Sequence, residues 1–78
     1  MPTVLRIGGY RLYFYSDEGS EPPHIHVAIA DCVAKYWLDP VELAKSKGLR
    51  DHQLNDIRLL VIRYRDRLLE AWYDHFNP

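Results

Sequence analysis

The 78-residue chain contains a single cysteine, a single methionine and four glycines, and nowhere carries an apolar run long enough to cross a bilayer. A lone Cys32 excludes an internal disulfide framework, and one thiol in so small a chain suits a reducing compartment. The N-terminus lacks the basic region followed by an apolar run that a signal peptide requires, so the expected location is the cytoplasm, without a membrane partner. An excess of charge of either sign is also missing. Ten basic and eleven acidic residues leave a net charge of −1, so no global field recruits nucleic acid or anionic lipid, although a local patch is compatible with this balance. No Ser-His-Asp order, Cys-His pairing, phosphate-cradling glycine loop or zinc-finger spacing occurs. Repeats, low-complexity tracts and linkers are absent too, so residues 1–78 read as a single domain.

What the chain does have is apolar and aromatic surface. Hydrophobic residues make up 47% of it, with six tyrosines and two tryptophans. That is generous at a length where one core gives only marginal stability, and it leaves surface for an oligomer or a partner.

Thr3-Val4-Leu5-Arg6-Ile7 and Tyr10 to Tyr15 are β-branched or aromatic runs separated by Gly8-Gly9, the positive-φ pair that a tight hairpin turn demands. Ser16 to Glu21 is polar and turn-forming, which predicts an exposed loop. His24 to Ala30 alternates, with Ile25, Val27 and Ile29 on the expected core face. After a turn near Asp31, Cys32 to Leu38 completes a second hairpin. Asp39-Pro40-Val41-Glu42 combines an Asp N-cap, a first-turn proline and a capping glutamate, which predicts a short helix ended by Lys45-Ser46-Lys47-Gly48. From about Asp51 to Phe76, Leu54, Ile57, Val61, Tyr64, Leu68, Ala71 and His75 form one stripe at spacings of three and four, the mark of a long amphipathic helix. The expected architecture is therefore α+β. Two antiparallel hairpins form a small sheet under the long C-terminal helix, in the order β-β-β-β-α-α.

The chemistry concentrates in Glu21-Pro22-Pro23-His24-Ile25-His26-Val27. Side chains of a strand repeat every second residue, so His24 and His26 point the same way. The two prolines deliver the chain stiffly into the strand and are expected to leave that mouth uncovered. Paired imidazoles suit proton transfer, anion contact or metal ligation. The bland alternative is two solvated or hydrogen-bonded histidines on the polar side of a strand. Ligation needs a third and usually a fourth donor. His52, His75, Cys32, Asp31 and Glu21 are available for it, at spacings that force none of them to converge. An acid–base reading, with no cofactor, would add Arg58 or Arg65 to stabilise developing negative charge, as in metal-free RNA cleavage. Whether the chain is an enzyme stays open at this point. On the helix, Ile62, Leu69, Trp72 and Phe76 widen the apolar arc beyond what one sheet contact needs, and they form the candidate partner-binding flank.

The opening Pro2-Thr3-Val4-Leu5, the Tyr10 to Ser16 strand, the Pro-Pro-His-Ile-His segment, Ala34 to Val41 with its Trp37-Leu38-Asp39-Pro40, Leu43-Ala44 and Leu69-Glu70-Ala71-Trp72 together resemble a small bacterial family, the domain of unknown function numbered 4160. The resemblance covers essentially the whole chain and highlights His24, His26, Trp37, Asp39 and Trp72 without assigning them roles. One departure is Arg50, where similar proteins tend to have a Ser or comparable helix cap. The family resemblance implies a two-gene, toxin–antitoxin-like module in which this chain is the effector, with a cognate small protein as partner and RNA as target. A non-enzymatic binding or self-associating subunit is the competing expectation, and a small metal-binding protein built on the His-x-His pair is the third.

Overall fold

The computed structural model describes residues 3–76, so Pro2 of the resemblance lies outside the described residues. Strands β1 (Thr3–Ile7), β2 (Tyr10–Tyr13), β3 (His24–Ile29), β4 (Cys32–Leu38) and β5 (Val41–Lys47) precede one helix, α1 (Asp51–Phe76). The strands lie in sequence order in one antiparallel sheet. Gly8 takes φ +57° in the first turn, whereas Gly9 lies outside the positive-φ region, so one of the two glycines takes the expected conformation.

The α+β class stands, but the order is β-β-β-β-β-α, because the segment expected as a short capped helix is a strand. Asp39-Pro40, with a cis peptide bond, forms the turn between β4 and β5, and residues 41–47 pair along β4 from Leu38↔Val41 to Val33↔Lys47. Asp-Pro initiates turns as readily as it caps helices. The tertiary context decides between the two. Strand β4 carries Ala34, Tyr36 and Leu38 into the core, and a ladder on its outer side satisfies backbone groups that a two-turn helix would leave open. Lys45, Ser46 and Lys47 are exposed on this edge strand, where lysine discourages further pairing.

Leu12, Val27 and Ala34 stand opposite one another across three strands, Ile25 pairs with Tyr36 across two, and this face meets Ile57, Val61, Leu68 and Trp72 of α1 in the core. Fully burying one such side chain contributes roughly 1.5–3 kcal/mol, so these contacts hold helix to sheet. Tyr36 spans the junction, its hydroxyl donating to the Leu54 carbonyl at 2.7 Å. Arg65 adds a second tie, its Nε donating to the Leu38 carbonyl at 2.7 Å and its Nη2 pairing with Asp39 at 3.0 Å.

Helix α1 begins with Arg50 in the capping position: its carbonyl accepts the Leu54 amide at 2.9 Å, and its own amide donates to Gln53 Oε1 at 2.9 Å. This is the glutamine half of a capping box. An arginine has no oxygen to supply the other half, and Asp51 lies already inside the first turn.

Candidate metal centre

Strand β3 brings the two imidazoles to one place, as the two-residue period requires. Their rings sit 5.3 Å apart with planes near perpendicular. The neighbouring strand completes the geometry. Because Tyr13 of β2 lies opposite His26 of β3, the residues between them must fold back over the strand ends. The segment expected as an exposed loop is thus built into the mouth. The Glu18 amide donates to the Tyr15 carbonyl at 3.2 Å, and the Glu21 amide to the Glu18 carbonyl at 3.1 Å. At Gly19 a Cβ would meet Phe76 Cδ1 at 2.5 Å, so only a glycine lets the loop run flush against the last turn of α1. The prolines, expected to leave the mouth open, lead into a mouth that the loop closes.

Glu18 occupies the centre of this closure. Its Oε1 accepts the Tyr15 amide at 2.8 Å, and both of its oxygens lie 3.0 Å from His26 Nε2. His24 Nε2 also lies 3.0 Å from Glu18 Oε2. That approach is a proximity and not a hydrogen bond: the nitrogen, shut off from solvent, has no hydrogen-bond partner. His24 Nδ1 lies 2.9 Å from the Pro22 carbonyl. A carbonyl only accepts, so Nδ1 carries the hydrogen and the Nε2 of a neutral ring is a lone pair. A buried lone pair therefore faces a carboxylate oxygen. A cation between them satisfies both.

Glu18, His24 and His26 each offer one donor atom, and the three atoms lie within 4.8 Å of one another, the one such group among the described residues. Their side chains are 13%, 0% and 10% exposed, so water competes weakly for them. Aromatic rings make the walls. Trp72 lies 4.7 Å and Trp37 5.6 Å from the His24 ring, while Tyr13 stacks on His26 at 5.3 Å and Tyr15 meets it edge-on at 5.0 Å.

Burial pushes the Glu18 carboxyl upward, yet the Tyr15 amide and the His26 imidazole outweigh it and hold the group below its ordinary value of 4.5. Burial pulls His26 below 6.5, opposed by Glu18. Both shifts favour the deprotonated donors that a metal needs.

The other expected residues sit elsewhere. Glu21 pairs with Lys35 at 2.7 Å, Cys32 Sγ donates to the Gly48 carbonyl at 3.3 Å, and His75 packs on Phe14 and Phe76. None of the described hydrogen bonds or ion pairs joins Arg58 or Arg65 to the histidines. Arg65 is engaged at the β4–β5 turn, and the charge of Arg58 is felt at Tyr36. Of the candidate partner flank, Trp72 is core, Leu69 and Phe76 pack against the core, and Ile62 stays 44% exposed, with Leu59 and Tyr73 also exposed. The residue that sequence reasoning missed is Glu18. The available signal was the antiparallel return from Tyr13 to His26, which obliges a mid-loop carboxylate to approach the second histidine.

A family model described as "Domain of unknown function (DUF4160)" matches residues 9–73, most of the chain, and the chain belongs to that family. No curated protein and no solved structure matches it. No described helix is long and apolar enough to cross a membrane.

Proposed function

We propose that this member of the DUF4160 family binds one divalent transition-metal ion through Glu18, His24 and His26. The observation that carries this reading is the His24 ring. Its Nδ1 is anchored on the Pro22 carbonyl, and its buried, unpartnered Nε2 is directed at the carboxylate that His26 also meets. An imidazole held through its distal nitrogen is the usual arrangement of a ligating histidine. Two nitrogens and one carboxylate suit zinc and its first-row neighbours better than magnesium or calcium, which prefer all-oxygen shells.

Three protein donors leave a coordination position for water or a substrate atom, as in catalytic zinc sites, and a bound ion there would supply an acidified water. His26 also lines an open cavity with Tyr13 and Tyr15. In a small two-protein bacterial module this site is the natural seat of the effector's chemistry. The metal-free acid–base scheme has less support, because it needs both histidines accessible and an arginine beside them. His24 is fully buried, and Arg65 is engaged at the β4–β5 turn.

Zinc titration of chelator-stripped protein by calorimetry tests the reading. One ion per chain is expected, with Glu18→Gln and His26→Ala each weakening binding at least roughly tenfold while the circular dichroism spectrum is kept. Absence of stoichiometric uptake, or equal affinity in the variants, would overturn it.

A further inference from the structure

The sheet face that carries His26 concentrates positive charge that the overall balance conceals. Tyr13, His26, Lys35 and Lys45 lie opposite one another across four strands, and Arg11, Ala28, Val33 and Lys47 form the next row on the same face. These two rows hold four cations and no carboxylate, in a chain whose net charge is −1. Lys35 and Lys45 are directly opposite, an arrangement of like charges that disfavours the sheet. Lys35 is relieved by Glu21, whereas Lys45 and Lys47 make no ion pair among the described residues. Edge protection accounts for lysines on β5, but it does not account for the aromatic surface they face. Tyr13, Tyr15, His26, Lys35, Lys45 and Lys47 line one open cavity of about 370 Å³, at which Tyr15 is 42% exposed and edge-on to Tyr13.

We propose that this face binds single-stranded nucleic acid, one nucleotide seating its phosphate on Lys45 and Lys47 and stacking its base on Tyr15. Cations that track a backbone beside an exposed aromatic ring are the two elements of sequence-tolerant single-strand recognition on an open sheet. Charge complementarity selects a polyanion, and the ring selects one with bases. A duplex, whose bases are already stacked, satisfies only the first element. The proposal does not depend on a bound metal, and it is tested on chelator-stripped protein so that the two readings succeed or fail separately.

Fluorescence anisotropy with labelled six-nucleotide RNA and DNA single strands, a duplex of the same length, and a mononucleotide and inorganic phosphate as competitors gives the test. Both single strands are expected to bind at about 50 mM salt more tightly than the duplex, with a log–log salt slope of roughly −0.7 for the one neutralised phosphate. In the Lys45→Gln/Lys47→Gln double variant that slope should fall toward zero. Tyr15→Ala should weaken binding about tenfold at an unchanged slope, since stacking is not ionic. Tyr15, Lys45 and Lys47 are exposed, so melting temperatures within about 3 °C of the parent confirm folded variants. Equal binding of duplex and single strand, full competition by inorganic phosphate at the concentration where the mononucleotide competes, or an unchanged slope in the double variant would overturn the proposal.

Discussion

Ile25 and Val27 alternate along β3 with His24 and His26, and all four are buried, yet they answer to different physics. The aliphatic pair contributes through area removed from water, a non-directional gain that any well-fitting neighbours provide. The imidazole pair brings polar nitrogens into the same low-polarity surroundings, where each needs a partner in the right direction. Three of the four nitrogen positions are accounted for or free to be, and His24 Nε2 is not. Burial alone therefore does not separate core from site; directional satisfaction does.

Trp72 is the residue that touches both regimes, packing on Phe14 in the core and on the His24 ring. Trp72→Ala should cost about 3–5 kcal/mol in urea unfolding and also weaken zinc binding, because it opens His24 to water. Ile57→Ala, confined to the aliphatic side, should cost about 2–5 kcal/mol while the folded protein keeps its zinc affinity within about threefold. A parallel loss of affinity in Ile57→Ala would show that the two sides are not separable.

Metal should act from the other side of the comparison. Zinc at a hundred times its dissociation constant should stabilise the parent by about 2.7 kcal/mol, raising its melting temperature by roughly 10–20 °C, with reversal by chelator and at most about half that effect in Glu18→Gln at the same zinc concentration.

Acid should be felt at His26 and at the carboxylate it meets. His26 titrates below 6.5 in the folded protein, so as pH falls through about 6.5 the unfolded chain takes up a proton that the folded one refuses, and stability declines. Glu18 titrates below 4.5, so its contribution is complete above about 4.5 and is lost as pH drops through the lower folded value. Urea midpoints of metal-free protein should thus fall from pH 7 downward in two stages, with the more acidic stage diminished in Glu18→Gln.

The features legible in the sequence are those that short-range periodicity encodes. Alternation placed His24 and His26 side by side and Ile25 and Val27 in the core, Gly8-Gly9 marked the first hairpin, and spacings of three and four marked Asp51–Phe76. The features not legible depend on partners distant in the chain. Val41 to Lys47 became a strand because β4 offered it a ladder, overriding the local capping signals of Asp39 to Glu42. Glu18 reads as one more polar loop residue until β2 and β3 are paired. Trp72 and Phe76 read as spare apolar surface until the loop through Gly19 packs beneath the end of the helix.

X-ray absorption of the zinc-loaded protein addresses the central claim most directly, since it counts ligands by type. The account predicts two imidazole nitrogens and one carboxylate oxygen at about 2.0–2.2 Å, with the oxygen shell altered by Glu18→Gln and one imidazole lost in His26→Ala. A spectrum with fewer than two imidazoles, or one that neither substitution changes, would contradict it.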